Sequence, residues 1–143
     1  MLRCKRQGVW DLVPAADVAG SLLFLFILII WAADDAKNMS VHIGLLLLGS
    51  LISLFPIMGS GLDIADIVVA VLPGMALLMG KIAGAKVGGA DVWVVFVSGI
   101  SSGAVLTVRA VVIGLIIFVL IKHRGKGAFL PFFLLGYMGA LLI

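Results

Sequence analysis

Long apolar runs with few charges are the feature that most constrains the fold of this chain. These runs cover residues 18–33, 41–58, 64–80, 91–121 and 129–143, and short charged or Gly-rich segments separate them. Of the 143 residues, 64% are hydrophobic and only 12% are charged. A soluble domain of this size leaves roughly a third of its unfolded-chain surface exposed after folding. With this composition, too much of that exposed surface would be apolar for the protein to be soluble. The sequence therefore predicts an integral membrane protein.

The run at residues 91–121 is too long for one upright crossing, since about 20 helical residues span a bilayer core of about 30 Å. Small residues at 98–103 favour a turn near its middle. This division predicts an all-α, polytopic membrane protein with about six transmembrane helices. Residues 1–17 would form a short N-terminal segment, and residues 18–143 a single transmembrane domain.

Basic residues indicate the orientation of this bundle. With six crossings, the loops after the first, third and fifth helices share one side and contain Lys37, Lys81, Lys86, Lys122, Arg124 and Lys126. Basic loops stay in the cytoplasm, so the prediction is a multi-pass protein of the cytoplasmic (inner) membrane. The basic N-terminus, with Arg3, Lys5 and Arg6, would then lie on the outer side of the membrane, which this rule disfavours. Because the basic charges are scattered, we expect no nucleic-acid partner. The apolar composition instead makes membrane lipid the expected partner.

The acidic residues are all aspartates, and three of them lie at the same predicted boundary. Asp34 and Asp35 end the first helix, and Asp91 opens the fourth. They could be ordinary helix-end residues that cap a helix or pair with Lys37. Alternatively, two carboxyls that meet could share a proton, one acting as base and the other as acid, as aspartyl proteolysis requires. A helix N-terminus favours negative charge, so we expect Asp91 to ionise before Asp35.

The segment before Asp91 is rich in glycine, with Gly84, Gly88 and Gly89. Residues without a Cβ let another backbone approach closely, as an extended peptide substrate would. This arrangement favours the catalytic interpretation over simple helix capping.

These residues resemble the type IV prepilin peptidases, a family of GxGD-type intramembrane aspartyl proteases. The run Gly88, Gly89, Ala90, Asp91 is similar to the GxGD motif, in a GGAD form. Asp35, followed by Lys37 and Val41, resembles the family's first aspartate motif and selects Asp35 over Asp34. Residues 125–132 resemble the stretch that enters the family's last helix.

The resemblance implies a membrane-embedded aspartyl endopeptidase that cleaves the leader peptide of type IV pilin-like precursors at the cytoplasmic face. Asp35 and Asp91 would be catalytic, and the substrate-loop and motif residues would be Gly88, Gly89, Ala90 and Lys37. It implies neither cofactor nor metal. The oligomeric state stays open, a homo-oligomer included, as does the precursor that is cut.

The sequence departs from the family pattern at several positions. Ala90 replaces the usual second glycine, Trp93 stands where a lysine often follows, and His42 and Ile43 replace a Pro-Asn pair. Because Cys4 is its only cysteine, the chain resembles the short form of the family, which lacks the paired-cysteine N-terminal domain. We therefore expect cleavage without N-methyltransferase activity.

A different class of function uses other residues. In a non-catalytic membrane scaffold or a small transporter subunit, Asp63, Asp66 and Arg109 would form an internal polar pathway. Arg109 could equally snorkel to the interface. His42 and His123 lie in separate loops without cysteine or glutamate partners, so we expect no metal site.

Overall fold

The computed structural model describes residues 15–59, 64–84, 87–121 and 128–143. Regular structure in these ranges is entirely helical, which confirms the all-α prediction. A short 3₁₀ helix, Phe55–Gly59, follows the second of the α-helices. The α-helices are α1 (Ala15–Asn38), α2 (Ile43–Leu54), α3 (Ile64–Ile82), α4 (Gly89–Ser102), α5 (Ala104–Ile121) and α6 (Leu130–Leu142).

Two helices of the described ranges, α3 and α5, are long and apolar enough to cross a membrane. The other candidates, which are apolar but shorter, are 43–58 (α2 with its 3₁₀ turn), α4 and α6. A count of six crossings therefore stays a prediction. The expectations for the basic N-terminus, Asp63, Lys86 and the basic loop at 122–127 lie outside the described residues.

The core of the bundle lies between α1, α4 and α6. Phe24 and Trp31 of α1, Val94 of α4, and Phe133 and Tyr137 of α6 have no solvent-exposed surface. Phe24 meets both Trp31 and Tyr137 edge to face, with ring centroids 6.3 and 5.3 Å apart. Large side chains on α2, α3 and α5 are exposed, as on a surface that faces lipid. The three core helices therefore form the framework on which the others pack.

The predicted break in the run at 91–121 falls at Gly103, between α4 and α5. Its φ of +87° lies in the left-handed region, which glycine adopts without steric cost. Its N–H donates to the carbonyl of Gly99 over 3.0 Å and so ends α4. Gly99 also packs directly against the carbonyl of Ala70, where a Cβ would clash with the α3 backbone. Glycines thus set both the turn and the close approach of α3 to α4.

Two tryptophans hold α2 against its neighbours. The Trp31 indole packs on Gly49, where a Cβ would come within 2.6 Å of the ring, and its Nε1 donates to the Leu45 carbonyl over 3.1 Å. From α4, the Trp93 Nε1 donates to the Ser50 hydroxyl over 2.8 Å. These contacts fix α2 relative to the ends of α1 and α4, where the acidic residues lie.

Candidate active site

Asp35 and Asp91 line one cavity of about 620 Å³ at the end of the bundle where α1 and α3 finish and α4 begins. Asp35, in the last turns of α1, is 6% exposed, and Asp91, in the first turn of α4, is half-buried. Lys37 and Lys81 lie at this same end. The cavity thus brings together the two carboxyls that the motifs single out.

Asp35 is held by the N-terminus of α6. The first backbone N–H of that helix, at Leu130, donates to Asp35 Oδ2 over 3.2 Å. A helix N-terminus has N–H groups without intrahelical partners and stabilises negative charge. Burial raises the pKa of Asp35 and the Leu130 N–H opposes this rise, while the nearby Asp34 charge adds to it. The carboxyl is therefore desolvated but has a fixed donor.

Asp91 folds back onto the start of its own helix. The Gly88 N–H donates to Asp91 Oδ2 over 3.1 Å. A Cβ on Gly88 would lie 2.7 Å from that oxygen, so the missing side chain makes room for the carboxylate. Burial, followed by the charge of Asp35, raises the pKa of Asp91 to about 6, against opposing effects of the Gly88 N–H and Lys81. Asp91 thus keeps its proton to a higher pH than an ordinary aspartate does.

The pKa values give an order of ionisation opposite to the one expected from the helix ends. The Asp35 charge raises the pKa of Asp91, whereas Asp91 is not among the causes of the rise at Asp35. Burial is the largest cause of the rise at both carboxyls, and the charge of Asp35 adds to it at Asp91. Asp35 ionises first because tertiary packing outweighs the dipole of α4. When the pair holds one proton, Asp35 is therefore the carboxylate and Asp91 the carboxylic acid.

Asp34 has a different environment from its neighbour. Its Oδ2 accepts the His42 backbone N–H over 2.9 Å and lies 3.1 Å from His42 Nδ1, while its Oδ1 accepts the Asn38 amide over 2.7 Å. These bonds connect the end of α1 to the start of α2 and lower the pKa of Asp34. Asp34 is absent from the cavity lining. Of the adjacent pair, Asp35 alone reaches the cavity.

The other motif residues divide between the cavity and the surface. Gly88, Gly89 and Ala90 line the cavity, as does the buried Val41. Lys37 is exposed and does not line it. Trp93 turns toward Ser50 on α2, so the bulky ring that departs from the family pattern stays out of the cavity.

The walls of the cavity come from residues that sequence reasoning missed. They are apolar side chains contributed by α2, α3, α5 and the entry to α6: Ile43, Leu46, Leu77, Leu115, Phe118 and Phe129. Phe118 packs edge to face on Phe129, with ring centroids 6.2 Å apart. Such residues look like ordinary lipid-facing or core positions in the sequence. The sequence does indicate the Leu130 donor. Pro131 is typical of the first turn of a helix, where backbone N–H groups have no intrahelical partners.

The residues of the alternative function are not assembled into a buried pathway. Asp66 and Arg109 are both exposed, and no ion pair joins them in the structure. Asp63 lies outside the described residues. Within the described ranges, no three His, Cys, Asp or Glu side chains converge as a metal site would require.

No protein-family model matches this sequence, and no curated protein or solved structure is significantly similar to it. The resemblance to prepilin peptidases therefore depends on the motif residues themselves.

Proposed function

We propose that the chain is a membrane-embedded aspartyl endopeptidase that cleaves the leader peptide of type IV pilin-like precursors. The observation that carries this proposal is the shared cavity of Asp35 and Asp91, in which the charge of one carboxyl acts on the other. A pair with one proton between two carboxyls supplies a base and an acid to the same substrate.

In this proposal each carboxyl has its own role. Ionised Asp35 takes a proton from water as the water oxygen bonds to the peptide carbonyl carbon, and protonated Asp91 donates its proton to the carbonyl oxygen. The resulting gem-diol collapses when the C–N bond breaks. Asp35 then gives its proton to the departing nitrogen, and Asp91 recovers a proton from a gem-diol hydroxyl. Both carboxyls return to their starting states, and one water molecule is consumed.

The surroundings of the pair suit a peptide substrate whose cleavage site adjoins an apolar segment. Gly88 and Gly89 line the cavity and are exposed to solvent. Apolar side chains also line the cavity, among them Leu77 and Leu115 from the two helices long enough to cross a membrane. We infer that the precursor's hydrophobic segment stays in the cytoplasmic membrane while its leader junction enters the cavity from the cytoplasmic face.

Cleavage of a purified pilin-type precursor by the reconstituted protein tests this proposal. Asp35→Asn and Asp91→Asn should each lower the cleavage rate by about 10²-fold or more, the usual contribution of a general acid or base. Asp34→Asn is the matched control and should cleave at a rate near that of the wild type, since Asp34 does not line the cavity. Mass spectrometry of the product identifies the cut. Retained cleavage in either cavity variant, or no cleavage by the wild type, would contradict the proposal.

A further inference from the structure

The turn that ends α1 holds a methionine in a backbone conformation that favours glycine. Met39 follows the last residue of α1, and its φ of +56° lies in the left-handed region. Among the described residues, no other residue with a side chain has a positive φ. The Met39 N–H donates to the carbonyl of Asp35 over 2.8 Å, the bond that closes a helix at such a residue. Glycine makes this bond equally well and without the steric cost that a Cβ adds.

Burial of the Met39 side chain does not offset that cost. The residue is 55% exposed, although its side chain is large and apolar. Stability alone would therefore favour glycine at this position. Strained backbone conformations concentrate at binding and catalytic sites, where the strain is retained for function. The Met39 side chain is thus a candidate for a functional contact.

The location of Met39 agrees with such a contact. Met39 lines the cavity that contains Asp35 and Asp91. The bond to the Asp35 carbonyl fixes the Met39 backbone one helical turn beyond that aspartate. Ile43, which is 75% exposed, lines the same cavity from the start of α2. The connection from α1 to α2 therefore presents exposed apolar side chains to the cavity of the carboxyl pair.

The chemistry of the cavity indicates what these side chains contact. Apart from the carboxyl pair, Ser40 has the only polar side chain in the described lining. A methionine side chain is flexible and polarisable, so it adapts to apolar groups of different shapes. A peptide whose carbonyl meets the two carboxyls brings its neighbouring side chains to these walls. An apolar side chain of that peptide suits them.

We propose that Met39 is a specificity-determining residue of the cavity: its side chain contacts an apolar side chain of the peptide, close to the bond that is cut. The contact rests on the proposed peptidase function, because a peptide must occupy the cavity. It accounts for a strained and exposed methionine that folding does not require.

Met39→Gly separates this contact from the fold. The Tm of the purified variant should equal or exceed that of the wild type, because glycine adopts the left-handed conformation without steric cost. Its kcat/KM for a pilin-type precursor should fall roughly 5- to 20-fold, as expected when part of a methionine side chain loses its burial. The change should lie in KM, with kcat near the wild-type value, since both carboxyls are intact.

Two further variants serve as controls. Met39→Leu keeps an apolar side chain of similar volume and should restore most of the wild-type kcat/KM. Met58→Gly removes an exposed methionine side chain from outside the cavity and should leave kcat/KM unchanged. Replacing the precursor's apolar residues around the cut by alanine, one at a time, should identify one position at which Met39→Gly has no further effect.

Binding gives a readout that does not depend on cleavage. The affinity of uncut precursor for Asp35→Asn should fall by a similar factor when Met39→Gly is added. If the wild type cleaves, a lowered Tm in Met39→Gly, an unchanged kcat/KM, or the lack of a coupled precursor position would overturn the role of Met39 alone. A Met39-dependent affinity without cleavage by the wild type would overturn the peptidase function and leave the contact standing. A wild type that neither binds nor cleaves the precursor would overturn both.

Discussion

Asp34 and Asp35 show how packing gives different properties to identical neighbouring side chains. Helical geometry turns successive residues about 100° apart, so the two carboxyls point to different neighbours. Asp35 meets the N-terminus of α6 in a cavity, whereas Asp34 accepts hydrogen bonds from Asn38 and His42. The pKa of Asp35 is raised and that of Asp34 is lowered. Their expected roles differ accordingly, one chemical and the other structural.

At this residue scale, Asp34→Ala should lower the Tm of the purified protein, because the His42 N–H loses its acceptor. Asp34→Asn keeps a neutral acceptor and should lie between the alanine variant and the wild type. The folded-state pKa of Asp34 is below its ordinary value of 3.8, so its charge stabilises the fold at neutral pH. The higher Tm of the wild type relative to Asp34→Asn should therefore disappear as the pH falls through the folded-state pKa of Asp34. A Tm difference that is the same at pH 7 and at the lowest pH would contradict the assignment.

At the scale of elements, the short helix α2 depends on contacts from both α1 and α4. It is only 12 residues long, and Ile43 and Leu46 on it line the cavity. Isolated helices of that length are marginal, so α2 owes its position to its neighbours. The bond from the Trp93 indole to Ser50 supplies one such connection.

Trp93→Phe and Ser50→Ala should each destabilise the protein through the loss of this interhelical bond. A bond between helices in a membrane contributes roughly 0.5–1.5 kcal/mol. Because both variants remove the same bond, the double variant should be more stable than the sum of the single effects predicts, by about that amount. Denaturation in mixed micelles measures the free energies of unfolding. Strictly additive effects would show that the bond contributes nothing.

At the scale of the whole molecule, much of the helical arrangement follows from hydropathy. The apolar runs became helices, and the small residues at 98–103 marked the turn that Gly103 makes. The predicted topology placed Asp35 and Asp91 at the same boundary, and both line the cavity. These features depend on local sequence and on the order of the apolar runs along the chain.

Other features of the site depend on which faces of distant helices meet, and local sequence does not contain that information. Phe118 looks like a lipid-facing residue of α5 until Phe129 and Phe132 pack edge to face against it. Likewise, the order of ionisation could not be read from helix ends. Burial of Asp91 among several helices, and the charge of Asp35 beside it, outweigh the local dipole.

The central claim is that Asp35 and Asp91, the aspartates of the two separate motifs, act as one coupled pair. Titration of the Asp91 carboxyl by ¹³C NMR in wild type and in Asp35→Asn tests this most directly. In the wild type the pKa of Asp91 should be about 6. In Asp35→Asn it should fall, because the charge that raises it has been removed, while Asp34→Asn should leave it near the wild-type value. An Asp91 midpoint unaffected by Asp35→Asn would show that the two carboxyls are not coupled and would contradict the account.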